Sequence, residues 1–252
     1  MARLRAPRYG EGLTLVEHLD ELRTRIIVSI AVLGVAIGLC FWQNHLLLDA
    51  LNSPLPAGKK PITLSPSEPF LATFKISIYA GILLALPILL YEAYAFVLPA
   101  LSAAERRVIR PFLVLVPSLF MAGVAFGYCV VLPGALRFLL SFNADQFTVQ
   151  VRAGDYYGFV ILTLLAMGLV FQVPMGILAL TKLGITTPRQ LAKNRRYAYL
   201  VLAIVAMALP GADPVTMLVE LVPLLLLYEL SIVLARALGT PVTARPAPGE
   251  GR

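Results

Sequence analysis

Five carboxylates and one amide stand where chemistry in this chain would have to be done: Glu21, Glu105, Asp213, Glu220, Glu229 and Gln172. Glu21 sits in His18-Leu19-Asp20-Glu21-Leu22-Arg23-Thr24-Arg25, and Glu105 in Ser102-Ala103-Ala104-Glu105-Arg106-Arg107. Arginines follow each of them, so one reading makes them ordinary ion pairs, worth under about 1 kcal/mol apiece when exposed. The sharper reading is two carboxylates awaiting a cationic ligand, gripped at two points if that ligand carries arginine. Enzyme chemistry has no comparable support. His18 and His45 are the only histidines, and no His-Glu-x-x-His, serine nucleophile elbow or phosphate-cradling glycine loop occurs. The sequence therefore proposes no enzyme, no cofactor and no metal site.

The elements that must position these groups are membrane helices. Hydrophobic residues make up 59% and charged residues 14% of the 252 residues, against roughly 45–50% and about 25% in soluble chains. With a mean hydropathy of +0.82, too little polar surface remains to cover a water-facing globule. Collagen, coiled coil, disordered chain and disulfide scaffold are excluded by the same composition. A span needs about 20 apolar residues, and the sequence offers six in an all-α, polytopic arrangement: about 26–42, 70–98, 112–132, 158–181, 197–209 and 215–235. Residues 1–25 and 236–252 flank this domain, the latter a proline-rich tail expected to be disordered. The second span is too long to stand upright, with Lys75 near its start, Pro87 as an expected kink and Glu92 near its far end. The last two are expected to be short, separated by Pro210-Gly211-Ala212-Asp213-Pro214; a re-entrant hairpin is the competing arrangement.

Charge sets the orientation. Of the 21 Lys and Arg residues, 16 fall in alternate connections, before span one, between two and three, between four and five, and after six. The positive-inside rule then places both termini in the cytoplasm of a multi-pass protein in the cytoplasmic membrane. The net charge of +7 reports this asymmetry and not a nucleic-acid partner. No small-residue cleavage site follows the first apolar run, so an uncleaved chain is expected. Cys40 and Cys129 lie within apolar runs and read as small core residues.

Polar groups inside the bilayer are costly, and so are candidates for function. Gln172, midway along span four, can satisfy itself across a helix interface or serve transport. Asp213 precedes Pro214 as a helix cap would, and can also act in a wet or thinned region. Glu220 is expected to face other helices or a neighbouring subunit and has no assigned role. Glu229 is expected to pair with Arg236 seven residues on.

In order along the chain stand His18-Leu19-Asp20-Glu21-Leu22-Arg23, Ser67-Glu68-Pro69-Phe70 with Lys75, and Tyr91-Glu92-Ala93-Tyr94-Ala95-Phe96-Val97-Leu98-Pro99-Ala100-Leu101. Glu105-Arg106-Arg107, Phe171-Gln172-Val173-Pro174, Gly184-Ile185-Thr186-Thr187, Arg195-Arg196-Tyr197 and Leu227-Tyr228-Glu229 follow. Together these pieces resemble the TatC family, the receptor subunit of the twin-arginine protein translocase. The resemblance implies a concave, glove-like six-helix fold with both ends cytoplasmic. It implies docking of folded precursors whose signal peptides carry paired arginines, Glu21 and Glu105 contacting the pair and Arg23, Phe96, Arg106 and Arg107 shaping the site. Pro54, Gln172 and Asp213 would match positions important for transport. Single-span TatA/TatB-type subunits, self-association in a larger complex and a proton-motive force are implied in the same way. Two positions depart from the pattern. Gln172 stands where some relatives carry glutamate, and Leu209-Pro210-Gly211-Ala212-Asp213 replaces a threonine and paired prolines. An ion- or proton-coupled small-molecule transporter, using Gln172, Asp213 and Glu220 as a midplane site, is the rival class; no inverted repeat supports it.

Overall fold

The computed structural model describes residues 15–56, 59–97, 111–147, 149–182, 184–211 and 213–238. Glu105, Arg106 and Arg107, and the expected disordered tail beyond Leu238, lie outside the described residues.

Helix α1 runs Leu15–Trp42, 28 residues or about 42 Å. It begins well before Ile26, where the apolar run starts, because Leu19, Glu21, Leu22, Arg23 and Arg25 are good helix formers and carry the helix beyond the lipid-soluble stretch. The polar motif is thus held on a helix. A short helix α2, Asn44–Asn52, follows, with Pro54 half-buried in the turn after it. Helix α3, Glu68–Val97, passes through Pro87 without interruption. It lies along α1 so closely that a Cβ on Gly81 would sit 2.7 Å from the Ile37 Cα. On the outward side of α1, Ile26, Ile27, Ile30, Val35, Leu39 and Trp42 are exposed, an arrangement stable only in lipid.

Next comes one rod in three parts: α4, Phe112–Phe126, a π turn over Gly127–Val131, and α5, Leu132–Ser141. Pro133 has no N–H for the Cys129 carbonyl, and the wider turn absorbs that loss. The following rod breaks instead. Helix α6, Ala153–Val170, and helix α7, Val173–Lys182, are separated at Phe171 and Gln172, where Pro174 cannot bond the Val170 carbonyl. Gly184, at φ 73°, turns the chain towards α8, Pro188–Lys193, whose start is closed by a reciprocal Thr187–Gln190 capping box. Helix α9, Arg195–Ala208, and helix α10, Pro214–Leu238, complete the chain.

Among the described residues, five stretches are long and apolar enough to cross a membrane: His18–Trp42, Glu68–Phe96, Phe112–Ser141, Ala153–Lys182 and Pro214–Ala237. The protein is an all-helical, multi-pass membrane protein. Helix α9, with 14 residues, reaches only about 21 Å. The expectation that both final helices are short is corrected: α10 has 25 residues, or about 37 Å. It starts cleanly on Pro214 and continues through Glu220, Pro223 and Glu229.

Tyrosine side chains, Tyr156 and Tyr157 buried and Tyr128 half-buried, tie the loops to the rods. The hydroxyls of Tyr128 and Tyr156 donate to the carbonyls of Ala50 and Leu51 at 2.7 Å, and Tyr157 donates to Asn52 Oδ1 at 3.0 Å. These bonds satisfy the C-terminal end of α2, whose last carbonyls have no partner within the helix. Two loops meet where the amides of Ile62 and Ala153 donate to the carbonyls of Val151 and Ile62, each at 2.8 Å. Arg152 Nε then reaches Glu68 Oε1 at 2.8 Å, and the Leu64 amide donates to Glu68 Oε2 at 2.8 Å. The hydrogen bond that Arg152 donates to Glu68, then the charge of that carboxylate, hold its guanidinium even more firmly ionised than usual. Both cysteines are free; Cys40 is half-buried, whereas Cys129 is exposed and not part of the core.

Candidate functional site

The His18–Arg25 stretch of α1 repeats along one face at i, i+3 and i+7, and the antiparallel end of α3 presents Glu92 and Phe96 one turn apart. The two faces meet. The His18 ring stacks on Phe96 with centroids 4.4 Å apart and planes 17° from parallel. Two turns along α1, the Arg25 guanidinium lies between two carboxylates. Its Nη2 and Nε donate to Glu21 Oε1 at 2.6 and 3.1 Å, and its Nη1 donates to Glu92 Oε2 at 2.7 Å.

The triad carries one positive and two negative charges. Arg25 and Glu21 are each 24% exposed and Glu92 is 18% exposed, so the group sits at a rim and is not sealed. Each carboxylate spends one oxygen on Arg25, and the second oxygen has no hydrogen bond among the described residues. Chemically this is an acidic, water-accessible seat already shaped around one guanidinium. Planar, two-point contacts of this kind favour arginine over the point charge of lysine.

The structure sorts the expected site residues unevenly. Glu21 and Phe96 come together on this seam. Arg23 is exposed on another face of α1 and makes no ion pair with a described residue. Glu105, Arg106 and Arg107 lie outside the described residues. Arg25 and Glu92, which complete the triad, and His18, which seats Phe96, are site residues that sequence reasoning did not select. The Glu21–Arg25 spacing was a visible signal, since i,i+4 partners of opposite charge are natural neighbours on a helix. Glu92 gave no local signal, because its partner is 67 residues away.

The remaining candidates are elsewhere. Gln172 lies at the α6–α7 break, where its Nε2 donates to the Val116 carbonyl at 3.2 Å while its buried Oε1 is unpartnered. Asp213 caps α10: its Oδ1 accepts from the amides of Val215 and Thr216 at 3.1 and 2.7 Å. Glu229 is not paired with Arg236. It receives Arg195 Nη2 at 2.7 Å and the Tyr199 hydroxyl at 2.5 Å, because α9 packs against α10 and offers a nearer cation than the next turns of its own helix.

Comparison with known proteins settles the family. The family model for the Sec-independent protein translocase protein TatC matches residues 17–223. The chain belongs to the TatC family. It is 40% identical over 228 residues to the TatC protein of Carboxydothermus hydrogenoformans, covering 89% of this chain and 93% of that one. It is 38% identical to the TatC protein of Aquifex aeolicus, covering 88% and 94%. A crystal structure of the twin-arginine translocase receptor TatC superposes with a TM-score of 0.76 at 36% identity, covering 88% of this chain and 99% of the other. As a TatC protein the chain is a subunit of the Sec-independent protein translocase, a transport component and not an enzyme. The small-molecule transporter reading falls with that result.

Proposed function

We propose that the seam between α1 and α3 receives the paired arginines of a signal peptide on a folded precursor. The observation that carries this reading is the seating of Arg25, whose guanidinium occupies the kind of place a visiting arginine would seek. The second oxygens of Glu21 and Glu92 stay available to a guest, and Glu105 adds a third carboxylate from the segment after α3. Phe96 packed on His18 forms the apolar wall of the seat, and the reading adds Arg106 and Arg107, with Arg23 on the neighbouring face of α1, as further contacts of the peptide.

A charge-assisted hydrogen bond contributes about 1.5–3 kcal/mol, so two supply roughly 3–6 kcal/mol, whereas micromolar affinity needs about 8.2 kcal/mol. An apolar stretch of the signal peptide supplies the rest by burying about 100–200 Å² at 25 cal/mol/Å². A shallow apolar groove runs from the triad along the same seam, lined by Val32, Val35, Leu39, Leu84 and Ile88. Capture at the rim is followed by insertion of the apolar segment towards the α6–α7 break at Gln172.

The chain crosses the cytoplasmic membrane six times in this reading, α9 being the short crossing, with both termini on the cytoplasmic side and a concave, glove-like surface. The distribution of the Lys and Arg residues supports that orientation. Its partners are single-span TatA/TatB-type subunits and further copies of itself. The test is crosslinking of an arginine-pair signal peptide to membranes containing Glu21→Lys with Glu105→Lys. Binding at these carboxylates predicts loss of the crosslink, and undiminished crosslinking overturns the reading.

A further inference from the structure

One carboxyl is left with nothing to do. Glu220 is completely buried, and neither of its oxygens has a hydrogen-bond partner. Helix geometry puts it about 10 Å along α10 from Asp213, well inside the stretch long enough to span a membrane.

Its surroundings follow from the packing. At the outer end of α10, a Cβ on Gly211 would meet Thr216 at 2.6 Å and Phe159 of α6 at 3.9 Å. Further in, Leu224 belongs to one buried cluster with Val170 of α6. Glu220 lies between these two levels, and the corresponding stretch of α6 carries Thr163 and Met167, both completely buried. On the adjoining side Val219 packs at 3.8 Å from where a Cβ on Gly134 of α5 would be. Ser77, Ser118, Thr181 and Ser231 turn their hydroxyls back to carbonyls of their own helices. Thr163 and Thr216 do not, and their buried hydroxyl oxygens are unpartnered. Pro223, a turn beyond Glu220, also has no N–H for the Val219 carbonyl. Polar groups that could accept or donate a hydrogen bond are therefore gathered on both sides of the carboxyl, and no cation is among them.

The charged and titratable groups on the packed elements are few. Asp213 caps the same helix and is itself acidic. Arg137 on α5 is exposed. Residues 158–170 of α6 and 200–208 of α9 include no titratable side chain, α7 carries only Lys182 in its last turn, α8 carries Arg189 and Lys193, and Glu229 on α10 is engaged by Arg195 and Tyr199. An isolated carboxylate out of water and without a cation is costly, and groups so placed neutralise instead.

We propose that Glu220 is a proton-binding site, loaded while α10 is packed against its neighbouring helices and emptied when it separates from them. The ligand is the proton itself. The Thr163 and Thr216 hydroxyls make no hydrogen bond to the carboxyl as packed, so the neutral acid is weakly hydrogen-bonded, and release returns its proton to water as the carboxylate becomes hydrated. This assignment does not depend on where the signal peptide binds.

The experiment uses the full chain reconstituted in lipid, followed by infrared spectroscopy at neutral pH. A carbonyl band of a protonated, weakly hydrogen-bonded acid is expected, shifting in protein labelled with ¹³C-glutamate and disappearing in Glu220→Gln. The labelled wild type answers the question even where the variant does not fold. Absence of the band, with the glutamate signal wholly in the carboxylate region, overturns the proposal. In detergent, thermal unfolding supplies the coupling. Because the packed state holds a proton that the separated state releases, raising the pH from about 5 increases the wild-type unfolding constant by up to tenfold per pH unit relative to Glu220→Gln. A flat ratio between the two proteins, or stabilisation by sodium over choline, refutes proton binding.

Discussion

Glu21→Gln isolates what the acidic rim contributes to recognition. The amide preserves size and can still accept from Arg25, but it loses the charge. In the structure one Glu21 oxygen already receives both Arg25 contacts, at 2.6 and 3.1 Å, so only the other can address a guest. The substitution therefore removes one charge-assisted hydrogen bond and not two, costing about 1.5–3 kcal/mol or roughly 10- to 150-fold in affinity. The fold should hardly change, since the i,i+4 pair contributes only about 0.3–0.5 kcal/mol. The assay is equilibrium binding of a labelled signal peptide to the protein in nanodiscs, run as a cycle against a peptide whose two arginines are replaced by glutamine. The variant should weaken binding of the arginine peptide and leave binding of the glutamine peptide unchanged. Equal losses for both peptides would place Glu21 in the scaffold and refute its role in reading arginine.

Other substitutions probe the frame. Arg25→Ala leaves Glu21 and Glu92 facing each other about 6 Å apart, a repulsion of about 1–3 kcal/mol at effective dielectrics of 80 to 20; thermal unfolding should show that loss, and adding Glu92→Gln should restore part of it. Asp213→Ala removes the cap of α10 and should cost about 1 kcal/mol in the same assay, whereas Asp213→Asn should cost little. Gly81→Ala puts a methyl into the Ile37 backbone and should destabilise by about 1–3 kcal/mol by prising α1 from α3, with signal-peptide binding weakened alongside. Arg152→Ala should accelerate hydrogen exchange at the Ile62 and Ala153 amides, since the ion pair with Glu68 backs those two bonds; unchanged protection would show that the loops hold each other unaided.

Apolar runs made the transmembrane rods legible, and local chemistry made some of their ends so. Asp213-Pro214 reads as a cap followed by a first-turn proline, and that is what starts α10. The prolines inside the runs were not legible. Pro87, Pro117 and Pro223 leave their helices continuous, Pro133 follows a π turn, and Pro174 accompanies a break. In lipid a helix keeps its remaining backbone bonds because no water competes for them, so proline alone does not end it. The break at Gln172 is held from outside its own helix. A Cβ on Gly123 of α4 would lie 2.6 Å from the Met167 carbonyl and 2.8 Å from the Phe171 ring, and Gln172 donates across to Val116 on the same rod. Such support comes from residues about fifty positions away and leaves no mark in the local pattern.

The acidic seam was half legible for a related reason. Two arginine-flanked glutamates suggest either idle ion pairs or a receptor; the structure shows Glu21 in an ion pair that engages one of its oxygens, and in the proposed reading the two roles are compatible. Two carboxylates held near each other repel, and without a cation between them the α1–α3 seam would be pushed open. An internal arginine removes that penalty, yet it leaves the site with a net negative charge and, on each acid, one oxygen without a hydrogen bond among the described residues. A receptor built this way is set before its ligand arrives, so little ordering cost falls on binding. A guest arginine then adds a second planar fork beside the first. A guest lysine, offering a single compact charge, can serve only one of the two oxygens well.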